Sequence, residues 1–92
     1  MRFQVTSTAR KDSLRIQMEL EGDSTGMGVR FRGELERCWR YILQHPGGFQ
    51  IRFRNYRYAP LDIFKYHVIY SVRGRTITVH RIRHMRQEPL KR

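Results

Sequence analysis

Cysteine occurs once in the 92 residues, as Cys38, so no internal disulfide can staple the fold. It stands among apolar residues at helical spacing and reads as a small buried hydrophobe in a reducing compartment. No apolar run approaches the length of a bilayer-spanning helix, and the N-terminal MRFQVTSTARKDSL contains no stretch of signal-peptide length. A cytoplasmic protein without membrane attachment is expected. Internal repeats, low-complexity tracts and long linkers are missing as well, so a single domain over residues 1–92 is the expectation. The most telling scarcity is of acid: residues 49–92 hold two Asp/Glu against eleven Lys/Arg, whereas residues 1–48 hold six against eight. Of the net charge of +11, the C-terminal half therefore carries +9. Charge of one sign at that density repels itself, and a polyanionic or acidic partner is the physical reason to keep it. A merely solvated basic face is the plainer alternative.

What is present has clear periodicity. Phe3 and Val5 alternate with polar residues and predict a first strand. From Thr8, a candidate N-cap, Ala9, Ile16 and Leu20 form one helical stripe with Leu14 and Met18 beside it, and Gly22 ends the helix. After the connection EGDSTGMG a second helix is predicted, with Phe31, Leu35, Cys38 and Ile42 recurring at three- and four-residue spacing beside Trp39 and Leu43, until HPGG stops it. Phe49, Ile51 and Phe53 alternate with Gln50, Arg52 and Arg54, as in a strand with one apolar and one basic face. Pro60 predicts a bend or an edge position in the next strand.

The segment YHVIYSVRGRTITVHRIRH reads as a hairpin. With Arg73-Gly74 as its turn, Tyr70 would face Ile77 and Val68 would face Val79, while His67 would face His80 and Ile69 would face Thr78. The parity breaks near Ile82, because Arg81 and Arg83 fall in line with Ile77 and Val79, so a bulge or strong twist is expected there. The fold class is thus α+β: an N-terminal strand, then a two-helix hairpin packed on one face of an antiparallel-rich sheet of three to four strands.

On these residues the chain resembles the RelE/ParE family of toxins from bacterial type II toxin–antitoxin and plasmid-stabilisation systems. The resemblance covers nearly the whole sequence. It is carried by Ala9 and Asp12 at the first helix start, the HP after the second helix, Arg57, the FKYHVIYSV segment from Phe64, ITVHRIRH, and the RQEP ending of IRHMRQEP. Ser13 stands where the family usually has Leu, and Lys65 where many members have Pro. The resemblance implies a growth-inhibiting toxin held inactive by a small acidic antitoxin protein. It also implies one of two targets: RelE-like members cut mRNA on the ribosome, whereas ParE-like members poison DNA gyrase.

Cleaving RNA through its 2′-hydroxyl requires a base, a cation for the pentavalent phosphate and an acid for the leaving oxygen. The family resemblance places His67 and Arg86 at such positions, and His84 is a further proton-transfer candidate. Arg52, Arg54, Arg57, Arg81 and Arg83 are the candidates for RNA or antitoxin binding. The paired lysines of some cutting members have no counterpart, since Tyr58 and Pro60 fall near those positions, and this favours the gyrase alternative. A basic RNA-binding module without toxicity is the reading from another class. His67, His80 and His84 have no carboxylate or second cysteine at ligand spacing, so neither a metal nor a cofactor is expected. Tyr56, Tyr58, Tyr66 and Tyr70 interleave with arginine like a stacking platform, although alternation should send half of them into the core.

Overall fold

The computed structural model describes residues 1–87. Glu88 and Pro89 of the RQEP ending lie outside the described residues. The chain runs β1 (Arg2–Val5), α1 (Ser7–Asp23), α2 (Met27–Gln44), β2 (Ile51–Phe53), β3 (Tyr56–Leu61), β4 (Tyr66–Arg73) and β5 (Thr76–His84). The strands form one sheet in the order β1-β5-β4-β3-β2, antiparallel except for the parallel β1–β5 pair. Five strands thus replace the expected three or four, because β1 joins the same sheet and β2 and β3 are separate arms of a hairpin.

The two helices cover one sheet face. Ala9 and Ile16 from α1, and Phe31, Leu35, Cys38 and Ile42 from α2, pack against Ala59, Leu61, Val68, Tyr70, Ile77, Val79 and Ile82. Burial holds the Cys38 thiol up at a pKa of about 12. It stays protonated and packs as a hydrophobe. Leu14 and Met18 depart from the expectation: they are 62% and 70% exposed, because only the Ala9–Asp12–Ile16 stripe of α1 reaches the sheet. The helices approach closely at Gly28, where a Cβ would sit 2.7 Å from the carbonyl oxygen of Gln17. Any side chain there would push α1 and α2 apart. At the tip of the helical hairpin the Glu21 carboxylate accepts the backbone N–H groups of Gly26 and Gly28, which begin α2. Those bonds, Gly26 first, hold its carboxyl below the usual range.

The N-cap of α1 is Thr6, two residues before the Thr8 that spacing suggested. Its hydroxyl accepts from Ala9 N–H at 3.1 Å and donates to the His80 carbonyl at 3.1 Å, while its own N–H bonds Val79 O at 3.0 Å. One residue thereby ends β1, begins α1 and ties both to β5.

The β4–β5 turn is Gly74-Arg75, with Gly74 at φ +59, one residue later than predicted. Moving a turn by one residue slides the pairing by two, so every side chain keeps its face while partners change. Val79 lies opposite Tyr70, and Val68 lies opposite Ile82. The predicted parity break is real. A bulge opposite Ile69 and Tyr70 inserts His80, two residues before the expected place. Pro60 sits where β3 has β4 on one side only, since β2 pairs no further than Arg57, an edge setting that tolerates proline. Phe49 precedes β2 and packs on Tyr41 and Tyr70 as part of the loop after α2.

Beyond its pairing with β1, β5 is held by a side chain. Asp12, 5% exposed, accepts Ile82 N–H at 3.0 Å and Arg81 Nε at 2.8 Å, with Arg81 Nη2 at 3.3 Å from the other oxygen. Replacing Asp12 with alanine leaves a buried N–H and a guanidinium unpaired, and should cost about 3 kcal/mol in chemical denaturation. Val79→Ala should cost about 2–3 kcal/mol, against under about 1 kcal/mol for Thr78→Ala on the opposite face. A tolerant Asp12 or a sensitive Thr78 would contradict this assignment.

Candidate functional site on the open face of the sheet

The face turned away from the helices carries the remaining polar side chains of β3, β4 and β5. His67 and Arg83 are a cross-strand pair, as are Tyr58 and Ile69. Residues directly opposite in an antiparallel ladder share a face, so these four point the same way. Together with Arg52 and Phe53 of β2 they line a cleft of about 490 Å³, and Ile69, 1% exposed, forms its floor. His84, Met85 and Gln87 close one end.

Within the cleft the Arg52 guanidinium lies 5.3 Å from the centre of the Tyr58 ring, and its Nη1 is 3.4 Å from His67 Nε2. The Tyr58 and His67 rings meet edge to face, centroids 5.4 Å apart. Burial, then the Arg52 charge, disfavours the imidazolium and lowers the His67 pKa, with Asp62 opposing weakly. His67 is therefore a neutral imidazole near neutral pH. It suits accepting a proton better than holding one.

Of the residues proposed for proton transfer, His84 borders the cleft that His67 lines, but its ring turns to the other face of the sheet. His84 lies opposite Tyr66, whose ring packs on Phe31 of α2, and the His84 and Tyr66 ring centroids are 5.0 Å apart. The His84 ring is thus on the helix side, and its Nδ1 accepts the Arg86 N–H at 3.1 Å. Arg86 is exposed in the turn after β5 and does not line the cleft.

The five candidate binding arginines also separate. Arg81 is paired to Asp12, and Arg57 donates to the carbonyls of Phe49 and Gly47, closing the loop after α2. Both serve the fold. Arg52 and Arg83 face the cleft, while Arg54 sits in the β2–β3 turn at φ +53, its guanidinium 5.5 Å from the Phe53 ring centre. Sequence reasoning missed the Asp12–Arg81 pair. Its only trace was Asp12 itself, an acid three residues after Ala9 on the stripe that packs inward.

His80, the bulge residue, shares the open face. Its Nε2 is 2.7 Å from the Ser71 hydroxyl and its ring packs edge-on against Tyr56, with desolvation lowering its pKa. No group of three or more His, Cys, Asp or Glu among the described residues could hold a metal ion, and no helix is long and apolar enough to cross a membrane.

Residues 3–89 match the family model of the ParE toxin of the type II toxin–antitoxin system parDE. The fold is similar to a solved chain described as the chromosomal ParDE TA system from P. aeruginosa, at a TM-score of 0.80 and 16% identity, covering 91% of this chain and 95% of that one. No curated protein sequence matches. The architecture is that of a small α+β toxin of the type II toxin–antitoxin class. The chain belongs to the ParE toxin family.

A depressed imidazole pKa means that the unfolded chain takes up a proton before the folded one does, so stability must fall as pH drops through the ordinary histidine range. His67 and His80 act in the same direction. Replacing Arg52 with glutamine removes one of the two effects that lower the His67 pKa and should raise it while leaving that of His80 unchanged, read from imidazole NMR titrations. An unmoved His67 would separate the two side chains electrostatically.

Proposed function

We propose that this toxin arrests growth by binding a protein target, DNA gyrase, and that a small acidic antitoxin neutralises it by covering basic surface. One observation carries the choice of binding over RNA cleavage: His67 and His84 point to opposite sheet faces, and Arg86 lies outside the cleft. Cleavage through a 2′-hydroxyl needs a base, an acid and a phosphate-holding cation within reach of one bond. His67 with Arg83 supplies a base and a cation. A guanidinium is a poor acid because it does not give up its proton near neutral pH. Membership of the ParE family supports the same reading, since gyrase poisoning is the activity associated with that branch. A gyrase poison needs affinity alone, which a basic surface and aromatic anchors provide.

Growth arrest should follow expression of the full chain and be relieved by co-expressing a small acidic protein encoded beside it. His67→Ala and Arg86→Ala should each retain toxicity, with DNA-damage signalling induced and a reporter mRNA intact by primer extension. New codon-spaced 5′ ends that vanish in His67→Ala would establish ribosome-dependent mRNA cleavage instead.

A further inference from the structure

We propose that the open-face cleft is a binding site for a nucleoside phosphate, a ligand the gyrase reading does not require. The starting point is Arg83. Its Nε is buried and has no hydrogen-bond partner, the one such side-chain nitrogen or oxygen among the described residues. Buried donors are nearly always satisfied, and an exception calls for a partner such as an ordered water, an ion or a ligand. The charge around it points to an anion. Arg52 and Arg83 both line the cleft with His67, and no Asp or Glu is among the lining residues. Asp62 reaches His67 only through its field. Two planar guanidinium forks without a counter-charge match the several oxygens of a tetrahedral phosphate.

The walls add a second requirement. Tyr58 and Phe53 line the same cleft, and the apolar floor at Ile69 offers nothing to a bare ion. Aromatic walls beside a cationic groove are suited to stacking a base whose phosphate is held by arginine. A volume of about 490 Å³ lies in the range of small-molecule sites and is far larger than inorganic phosphate needs. The ligand class is therefore a phosphate joined to a planar ring. It can be a free nucleotide or the phosphorylated end of a strand.

Purified full-length toxin would be titrated at fixed ionic strength with inorganic phosphate, AMP and a short 5′-phosphorylated single-stranded oligonucleotide. Calorimetry gives the affinity, and NMR follows the Arg83 Nε–H resonance. AMP should bind about tenfold or more tightly than phosphate, the difference being the stacked ring. It should shift Arg83 Nε–H. Arg83→Gln, Arg52→Gln and Tyr58→Leu should each weaken AMP about tenfold, whereas Arg40→Gln, which removes the same charge from the exposed side of α2, should leave it unchanged. Arg52 is exposed, so its variant keeps the test valid if Arg83→Gln fails to fold. Displacement of AMP by the oligonucleotide assigns the site to strand ends, and failure to displace it assigns the site to free nucleotides. Absence of AMP binding, equal affinity for AMP and phosphate, or equal weakening by Arg40→Gln would overturn the proposal, and none of these outcomes bears on growth arrest by the intact chain.

Discussion

Everything on the open face depends on how β5 is held past its bulge. A strand that alternates without interruption from Ile77 and Val79 would carry Arg81 and Arg83 into the core. Inserting His80 reverses the parity, so that Ile82 becomes buried and Arg83 turns into the cleft. Such an insertion leaves ladder groups without partners, and here the start of the first helix supplies them. The Thr6 hydroxyl takes the carbonyl of His80, and Asp12 takes the amide of Ile82 together with the Arg81 guanidinium. β1 has four residues and β5 nine, so the rest of that edge would otherwise be bare. A helix whose first turns are anchored to a strand edge also fixes where its Ala9–Ile16 stripe meets the sheet. Helix placement, bulge and cleft are one constraint seen from three sides.

The charge asymmetry takes a different meaning once the fold is known. The cationic half of the sequence is also the half that forms most of the sheet, and two of its arginines are used internally. Arg57 closes the loop after α2 and Arg81 holds Asp12. The first pairing restrains a loop that has no ladder of its own, and the second holds the edge of β5 just past the bulge. Those two arginines are withdrawn from the surface charge, while Arg52 and Arg83 flank neutral His67 in the cleft. A short acidic segment or a phosphate would meet a localised field set in an apolar and aromatic rim, where desolvation strengthens each contact.

The sequence made the layers legible because they depend on period. Three- and four-residue spacing in α2, and two-residue alternation in β4 and β5, are imposed by burial and survive small errors in turn placement. The hairpin turn was misplaced by one residue, yet Val68, Tyr70, Ile77 and Val79 all stayed on the buried face, because pairing then slips by two. The bulge was legible from the parity of Ile82 alone. The N-cap at Thr6 was not, since Thr6, Ser7 and Thr8 offer three capping residues in a row and only the contact with His80 distinguishes them. Leu14 and Met18 were misjudged because a stripe drawn on one helix cannot show how much of it a narrow sheet covers. Long-range pairs such as Asp12 with Arg81 leave no periodic trace at all.

The site was less legible than the fold, for a reason that lies in the sheet itself. Motif position can suggest that His67, His84 and Arg86 act together, but successive positions along a strand alternate between faces. Whether two side chains meet is decided by register, and the register here depends on a bulge pinned by residues some 70 positions away in the chain. His67 opposite Arg83, and His84 opposite Tyr66, follow from that single insertion. The same shift that separates His67 from His84 brings Arg83 to the wall of an apolar and aromatic cleft, with its buried Nε lacking a partner. A face that loses a proton donor and gains an unsatisfied cationic one is better equipped to hold an anion than to break a bond.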